Sequence, residues 1–243
     1  MPSKKKTIKP ENRERLRHVS TATLTTALFK RGFRNAFMQG PRRINPKGRQ
    51  MVGEAYTLRY IPAREDLDRL DVFKNPAHPQ RKGIEACPPG HVFVIDSRGD
   101  PRAASAGGIL VARLMKRGVE GVVTDGGFRD TPGIEELAMP AYHARPSAPT
   151  NLIRNHAVDL NVPIGCGGVP VYPGDIVVGD DEGVVVIPAH LADEVAEEAH
   201  EMTAFEDFVE ERVMAGHSIV GLYPATKDET LTAFAAWRKK KKR

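Results

Sequence analysis

Cysteine is scarce in this sequence: Cys87 and Cys166 are its two examples in 243 residues, and they form no CxxC spacing. That excludes a disulfide scaffold and a cysteine zinc site, and it suits a reducing cytoplasm. Long apolar runs are also missing. The runs are short, such as Val184-Val185-Val186-Ile187, so no bilayer span is expected. The first residues lack the apolar stretch of a secretory signal. No GxGxxG or Walker loop is present, and the eight histidines show neither HxH nor HExxH spacing, which argues against a histidine zinc site. Ser147 has no nucleophile-elbow context, and no lysine ends an apolar strand, which disfavours Schiff-base chemistry. No helix-turn-helix or RNA-binding aromatic motif is visible.

What is present reads as an ordinary globular chain. Residues of the AVILMFWYC set make up 40%, and 22 glycines bring the total into the globular range. The formal net charge is +5, but it is unevenly placed. Residues 1–17 hold seven Lys/Arg against two Glu, and 238–243 are all basic, which leaves the body near −6. A nucleic-acid surface would carry its positive charge in the fold, so nucleic acid is not an expected partner. The basic ends are expected to be solvated tails.

Periodicity and punctuation divide the chain into a basic N-terminal tail (1–17), one α/β domain (18–225) and a C-terminal helix with its basic tail (226–243). Ser20 or Thr21 caps a predicted helix over 21–31 that Gly32 stops. Residues 51–61 read as a strand. The Pro-rich stretch 62–90 is an insert with a short helix near 79–86. Val92–Ile95 is a buried strand. Ser105 then precedes a helix opening on Ala106-Gly107-Gly108 and ending at Gly118. Strands at 121–124 and 140–145 flank a short helix beginning near Pro132. This alternation indicates parallel strands covered by helices. From about 160, strands at 169–171, 176–178 and 184–187 are joined by tight turns, as in antiparallel pairing. A long amphipathic helix over 189–215 follows, with Phe205 and Phe208 expected in the core.

In a parallel α/β sheet, ligands collect outside the carboxyl ends of the strands. Two such ends carry chemistry. Gly107 and Gly108 either let backbone amides approach an anion or simply allow close helix–sheet packing. Arg129 offers a fork of donors for a carboxylate or oxyanion, and Asp130 an oxygen ligand for a hard divalent cation. The alternatives are a structural ion pair and a cap for the helix at Pro132. His143 reads as a core or edge histidine more readily than as a substrate contact.

The stretch SAGGILVARLMKRGVEGVVTDGGFRD, with PPGHVFVID before it and NVPIGCGGVPVYPGDIVVGDDEGVVVIP after it, resembles the family of the regulator of ribonuclease activity A. That family includes the 4-hydroxy-4-methyl-2-oxoglutarate aldolases. The likeness spans roughly 18–200. It implies an α/β/β/α swivelling-type sandwich, here with extra C-terminal helices, and assembly as a homotrimer or hexamer. It further implies that Gly107, Gly108, Ile109 and Leu110 bind substrate, that Arg129 contacts it as the catalytic residue, and that Asp130 holds Mg²⁺ or Mn²⁺. The aldolase signature has an acid after two residues that follow the Arg-Asp pair, and this chain has Gly133 there. The expected function is a metal-dependent lyase acting on a small 2-oxo acid, as an oxaloacetate decarboxylase or an aldolase. The alternative is a non-enzymatic binding protein with a ribonuclease partner.

Overall fold

Val92 and Val94 project to one side of their strand, Phe93 and Ile95 to the other, and all four are fully buried. A strand buried on both faces belongs to the interior of a covered sheet. In the computed structural model, which describes residues 7–46 and 49–241, that strand is β3 (His91–Asp96). Before it come α1 (Pro10–Leu16), α2 (Thr21–Lys30), β1 (Arg42–Arg43), β2 (Met51–Pro62) and α3 (Pro79–Ala86). After it come β4 (Ala104–Ala106), α4 (Gly108–Lys116), β5 (Gly121–Thr124), β6 (Gly127–Phe128), α5 (Thr131–Glu135), β7 (Ala141–His143) and β8 (Arg145–Pro146). The chain continues through β9 (Asn155–Leu160), β10 (Ile164–Cys166), β11 (Val169–Val171), β12 (Ile176–Gly179) and β13 (Val184–Ile187). It closes with α6 (Ala192–Met214) and α7 (Asp228–Lys241).

The main sheet runs β1-β7-β5-β3-β2-β12-β13, with β9 also paired to β2. Strands β2, β3, β5 and β7 are parallel, while β12 and β13 join antiparallel. The sheet curls until its two ends nearly meet: the Tyr142 hydroxyl on β7 donates to the Asp180 carbonyl in the β12–β13 turn at 2.9 Å. Alternation then sorts the strand side chains. Val92, Val94, Val177, Val184 and Val186 fill the interior together with the β10–β11 hairpin. Ile176, Val178, Val185 and Ile187 face outward under α1, α2 and α6. Phe93, Ile95 and Val122 face outward under α3, α4 and α5. The result is an α/β/β/α sandwich with α6 and α7 added. Phe208 is buried and Phe205 partly buried in a small satellite core beside Leu222, Phe234 and Trp237.

Two expectations need correction. Residues 10–16 are not part of a solvated tail: they form α1, with Leu16 0% exposed and Asn12 bonded to Asp193 and Glu197 of α6. Arg13 also pairs with Glu54 of β2, so part of the basic charge is spent inside the fold. The helix expected directly after Ser105 begins only at Gly108, because 104–106 pair with β6 as a strand. The C-terminal helix expected from about 226 is α7, which runs into the basic residues as far as Lys241. Residues 1–6 and 242–243, also assigned to tails, lie outside the described residues.

Candidate active site

Each of the parallel strands β3, β5 and β7 leads into a short strand of a second sheet, ordered β4-β6-β8 and parallel throughout. This small sheet stands at the carboxyl ends of the larger one, and it sets the loops that carry Gly107-Gly108 and Arg129-Asp130 side by side. Its anchoring is polar and buried. Ser97, Ser105 and Thr124 join hydroxyls at 2.6, 2.7 and 3.2 Å. Asp125 accepts the backbone N–H groups of Ser97, Gly99 and Gly167. Burial raises the carboxyl pKa of Asp125 while these amide bonds oppose the rise, so Asp125 acts as a loop anchor. A Cβ at Gly126 would stand 2.6 Å from Ser97 Cβ, which explains that glycine by packing.

Asp130 has a left-handed backbone (φ 61°) and precedes α5, whose Gly133 and Ile134 amides donate to its carbonyl. Its carboxylate makes no cap hydrogen bond to that helix. The Gly108 N–H donates to Asp130 Oδ2 at 3.1 Å, and Arg129 Nε lies 3.5 Å from the same oxygen. Gly107 completes the arrangement, since a Cβ there would lie 2.9 Å from Asp130 Oδ2 and 3.0 Å from Arg129 Cγ. The glycine pair packs closely, and what it packs against is the Arg-Asp pair. The side chains of Arg129 and Asp130 remain about half exposed, at 47% and 54%.

These groups open onto a cavity of about 460 Å³, within the usual range for small-molecule sites. Gly107, Ile109, Leu110, Arg129 and Asp130 line one side. The other side was not anticipated: Leu70, Phe73, Gln80 and Arg81 come from the 62–90 insert, and Thr150 and Asn151 from the segment after β8. The length and proline content of the insert were the only signals for them.

Other candidates fall elsewhere. His143 is buried and stacked on Phe128 at 6.0 Å between ring centres, and burial lowers its pKa to about 4. Arg145 lies beside Arg98, Arg102 and Arg154 in a separate open depression. Asp100 is held by Arg102 and Arg154, whose hydrogen bonds keep its carboxyl well below the usual range. Asp96 accepts the Arg98 amide. None of these acids lines the cavity, and neither do the exposed Glu135 and Glu136. Among the described residues no three His, Cys, Asp or Glu side chains gather as a metal cluster.

The fold and this strand-end cavity define a class, the α/β proteins that offer an Arg-Asp pair against a glycine-opened helix. The family description Aldolase/RraA (RraA-like) matches residues 21–186, and the chain belongs to that family. A protein of Halalkalibacterium halodurans named "Putative 4-hydroxy-4-methyl-2-oxoglutarate aldolase" is 36% identical over 166 residues, covering 68% of this chain and 72% of that protein. Streptomyces coelicolor RraAS2, described as an unusual member of the RNase ES inhibitor RraA family, superposes with a TM-score of 0.73 at 30% identity, covering 84% of this chain and 98% of that one. An uncharacterised Pseudomonas syringae protein superposes with a TM-score of 0.76 over 89% of this chain and 98% of its own, and its 24% identity speaks for the fold alone. Among the described residues no helix is long and apolar enough to cross a membrane.

Proposed function

We propose that this chain is a divalent-metal-dependent carbon–carbon lyase acting on a small 2-oxo acid. The observation that carries the reading is the meeting of Asp130, Arg129 and the glycine-opened start of α4 at one cavity. Asp130 would hold the cation. Mg²⁺ and Mn²⁺ keep several waters and are commonly bound by one or two carboxylates plus substrate oxygens, so a single half-exposed carboxylate is a sufficient protein donor. The cradle fits, because the Gly108 amide engages Oδ2 and leaves Oδ1, which takes no hydrogen bond from the described residues, for a cation. Bound there, the metal supplies Lewis acidity toward the 2-oxo group.

The chain's own groups do the rest. The positive end of α4 favours the substrate carboxylate, with one amide, that of Gly108, already engaged by Asp130. Arg129 faces the 2-oxo oxygen, where negative charge develops as the C3–C4 bond breaks and its electron pair moves to form the pyruvate enolate. Retro-aldol cleavage also needs a base for the 4-hydroxyl proton, and among the described residues Asp130 is the one carboxylate that lines the cavity. Oxaloacetate decarboxylation breaks the same bond and releases CO₂ without that proton transfer. The lining therefore favours decarboxylation over aldol cleavage.

The site is half open, with Ile109 85% exposed at its edge, which supports assembly of copies as a homotrimer or hexamer. The free buried cysteines suit a cytoplasmic protein. A second reading, a ribonuclease-regulating binding protein, is favoured by the likeness to RraAS2 and by the absent acid at Gly133. The deciding experiment is pyruvate release from oxaloacetate and from 4-hydroxy-4-methyl-2-oxoglutarate, with Mg²⁺ or EDTA, in wild type and Asp130→Ala. Metal-dependent release that the substitution abolishes supports the lyase. Release no faster than that of free metal in both cases refutes it and leaves the binding protein.

A further inference from the structure

The wall contributed by the insert has a chemistry of its own. The Arg81 guanidinium lies 4.4 Å above the Phe73 ring, and both residues line the cavity that contains Arg129 and Asp130. The carboxylate of Asp130 lies beside Arg129. Arg81 has no ion-pair partner among the described residues, so the cavity holds one guanidinium whose charge no protein carboxylate offsets. Stacking on an aromatic face restrains a guanidinium while leaving its edge N–H groups free for a planar anion.

The insert is itself held in place. Gln80, next to Arg81 and 2% exposed, donates through Nε2 to the Tyr60 hydroxyl at 2.9 Å and to the Ser105 carbonyl at 2.8 Å. Ser105 belongs to β4, two residues before Gly107, so the Arg81 wall and the Gly107 wall share one anchor. The carbonyl at Ser105 fixes which way the Gln80 amide faces, and this leaves Gln80 Oε1 without a partner. Asn151 Nδ2, in a residue 4% exposed, is likewise unpartnered in the same lining. The unpartnered Asn151 Nδ2–H and the unpaired Arg81 guanidinium are donors suited to an anionic ligand end, while Gln80 Oε1 is an acceptor left for a water or a ligand hydroxyl.

We infer that Arg81 forms a second carboxylate subsite, in the cavity that also holds the Arg129-Asp130 pair, and that it selects 2-oxo acids carrying a second, distal carboxylate over monocarboxylic ones. This rests on the lyase reading for the 2-oxo acid class and adds the specificity determinant. Arg81 binds the distal end of the substrate: in an aldol substrate that carboxylate stays on the departing fragment, and in oxaloacetate it is the carboxylate lost as CO₂.

The test separates the inference from the lyase reading by using ligands that cannot be cleaved. Calorimetric titrations in Mg²⁺ compare 2-oxoglutarate, a dicarboxylate without a 4-hydroxyl, with the monocarboxylate 2-oxobutyrate. Wild type is expected to bind 2-oxoglutarate about 10- to 100-fold more tightly, the range of one charge-assisted bidentate contact. Arg81→Gln should erase that preference and leave 2-oxobutyrate binding within about twofold, since a charge-assisted contact is lost only at the distal end. Arg81→Lys, which keeps the charge without the fork, should restore part of it. A preference that survives in Arg81→Gln overturns the inference, as does a wild type that binds the two acids equally or binds neither. If the preference depends on Arg81 while wild type releases no pyruvate from any substrate, the subsite stands and the lyase reading fails.

Discussion

The amide of Gly108 donates to Oδ2 of Asp130 across 3.1 Å, tying the first residue of α4 to the end of the β6 loop. The same carboxylate oxygen would meet a Cβ at Gly107 at 2.9 Å. Asp130 is therefore aimed by a backbone contact that only a glycine pair permits. Gly107→Ala should leave the fold intact, since φ at this position is −123° and any residue adopts it. It should displace the Arg129-Asp130 pair and lower kcat/KM for pyruvate release about 10- to 100-fold, as small misplacements in a site commonly do. Circular dichroism paired with the release assay checks this, and full activity in a folded variant would show that the close approach is incidental.

Arg129→Ala removes the one guanidinium next to Asp130. Loss of a single donor facing developing charge typically costs about 3 kcal/mol, roughly a hundredfold in turnover. The thermal midpoint should barely move, because the side chain is 47% exposed. Unchanged turnover in the folded variant would remove this pair from the chemistry.

Gly133 occupies the third position of α5, and a Cβ added there meets nothing within 4 Å. Packing does not demand this glycine. Gly133→Glu should raise stability by roughly 0.5–1 kcal/mol, through helix propensity and an acid in the first helical turn. It also returns a carboxylate to the place where the aldolases carry one. Cleavage of 4-hydroxy-4-methyl-2-oxoglutarate should rise relative to oxaloacetate decarboxylation, and an unchanged ratio would show that the acid is not what the site lacks.

His143 is buried against Phe128, and its pKa falls from 6.5 to about 4 because burial disfavours the charged ring. The unfolded chain thus binds a proton that the folded chain refuses between those two values. Stability from this residue is complete above pH 6.5 and is lost as pH falls toward 4, by at most about 1.4 kcal/mol per pH unit. His143→Phe should flatten that part of the profile. Urea midpoints measured for both proteins between pH 7 and 4.5 test it, and parallel profiles would refute it.

Leu16, in the helix expected to be a tail, is 0% exposed within the core formed by α1, α2 and α6. Leu16→Ala should cost about 2–5 kcal/mol, the usual range for a buried leucine. A shift in urea midpoint of less than a fifth of the wild-type value would mean that α1 is dispensable.

The sequence by itself determined the elements whose signals are local. Helix α3 at Pro79–Ala86 and strand β5 at Gly121–Thr124 fall where proline, glycine and apolar spacing place them. So does the cap of α2, where the Ser20 side chain accepts the Thr23 amide. The nearness of Gly107-Gly108 to Arg129-Asp130 was legible too, since both follow strands that a parallel sheet brings side by side. Other features had no local signature. Strands β4, β6 and β8 are two or three residues long, too short to show a period, and they exist only because β6 pairs with both β4 and β8. Charge counting made residues 10–16 look solvated, because composition does not reveal that Leu16 and Asn12 find a groove beside α6. Only the tertiary structure brought Phe73 and Arg81 to the cavity, by clipping Gln80 to the Ser105 carbonyl across 25 positions of sequence. Helix and strand period reflect interactions between near neighbours, whereas a cavity wall is made by long-range contacts that no short window of sequence contains.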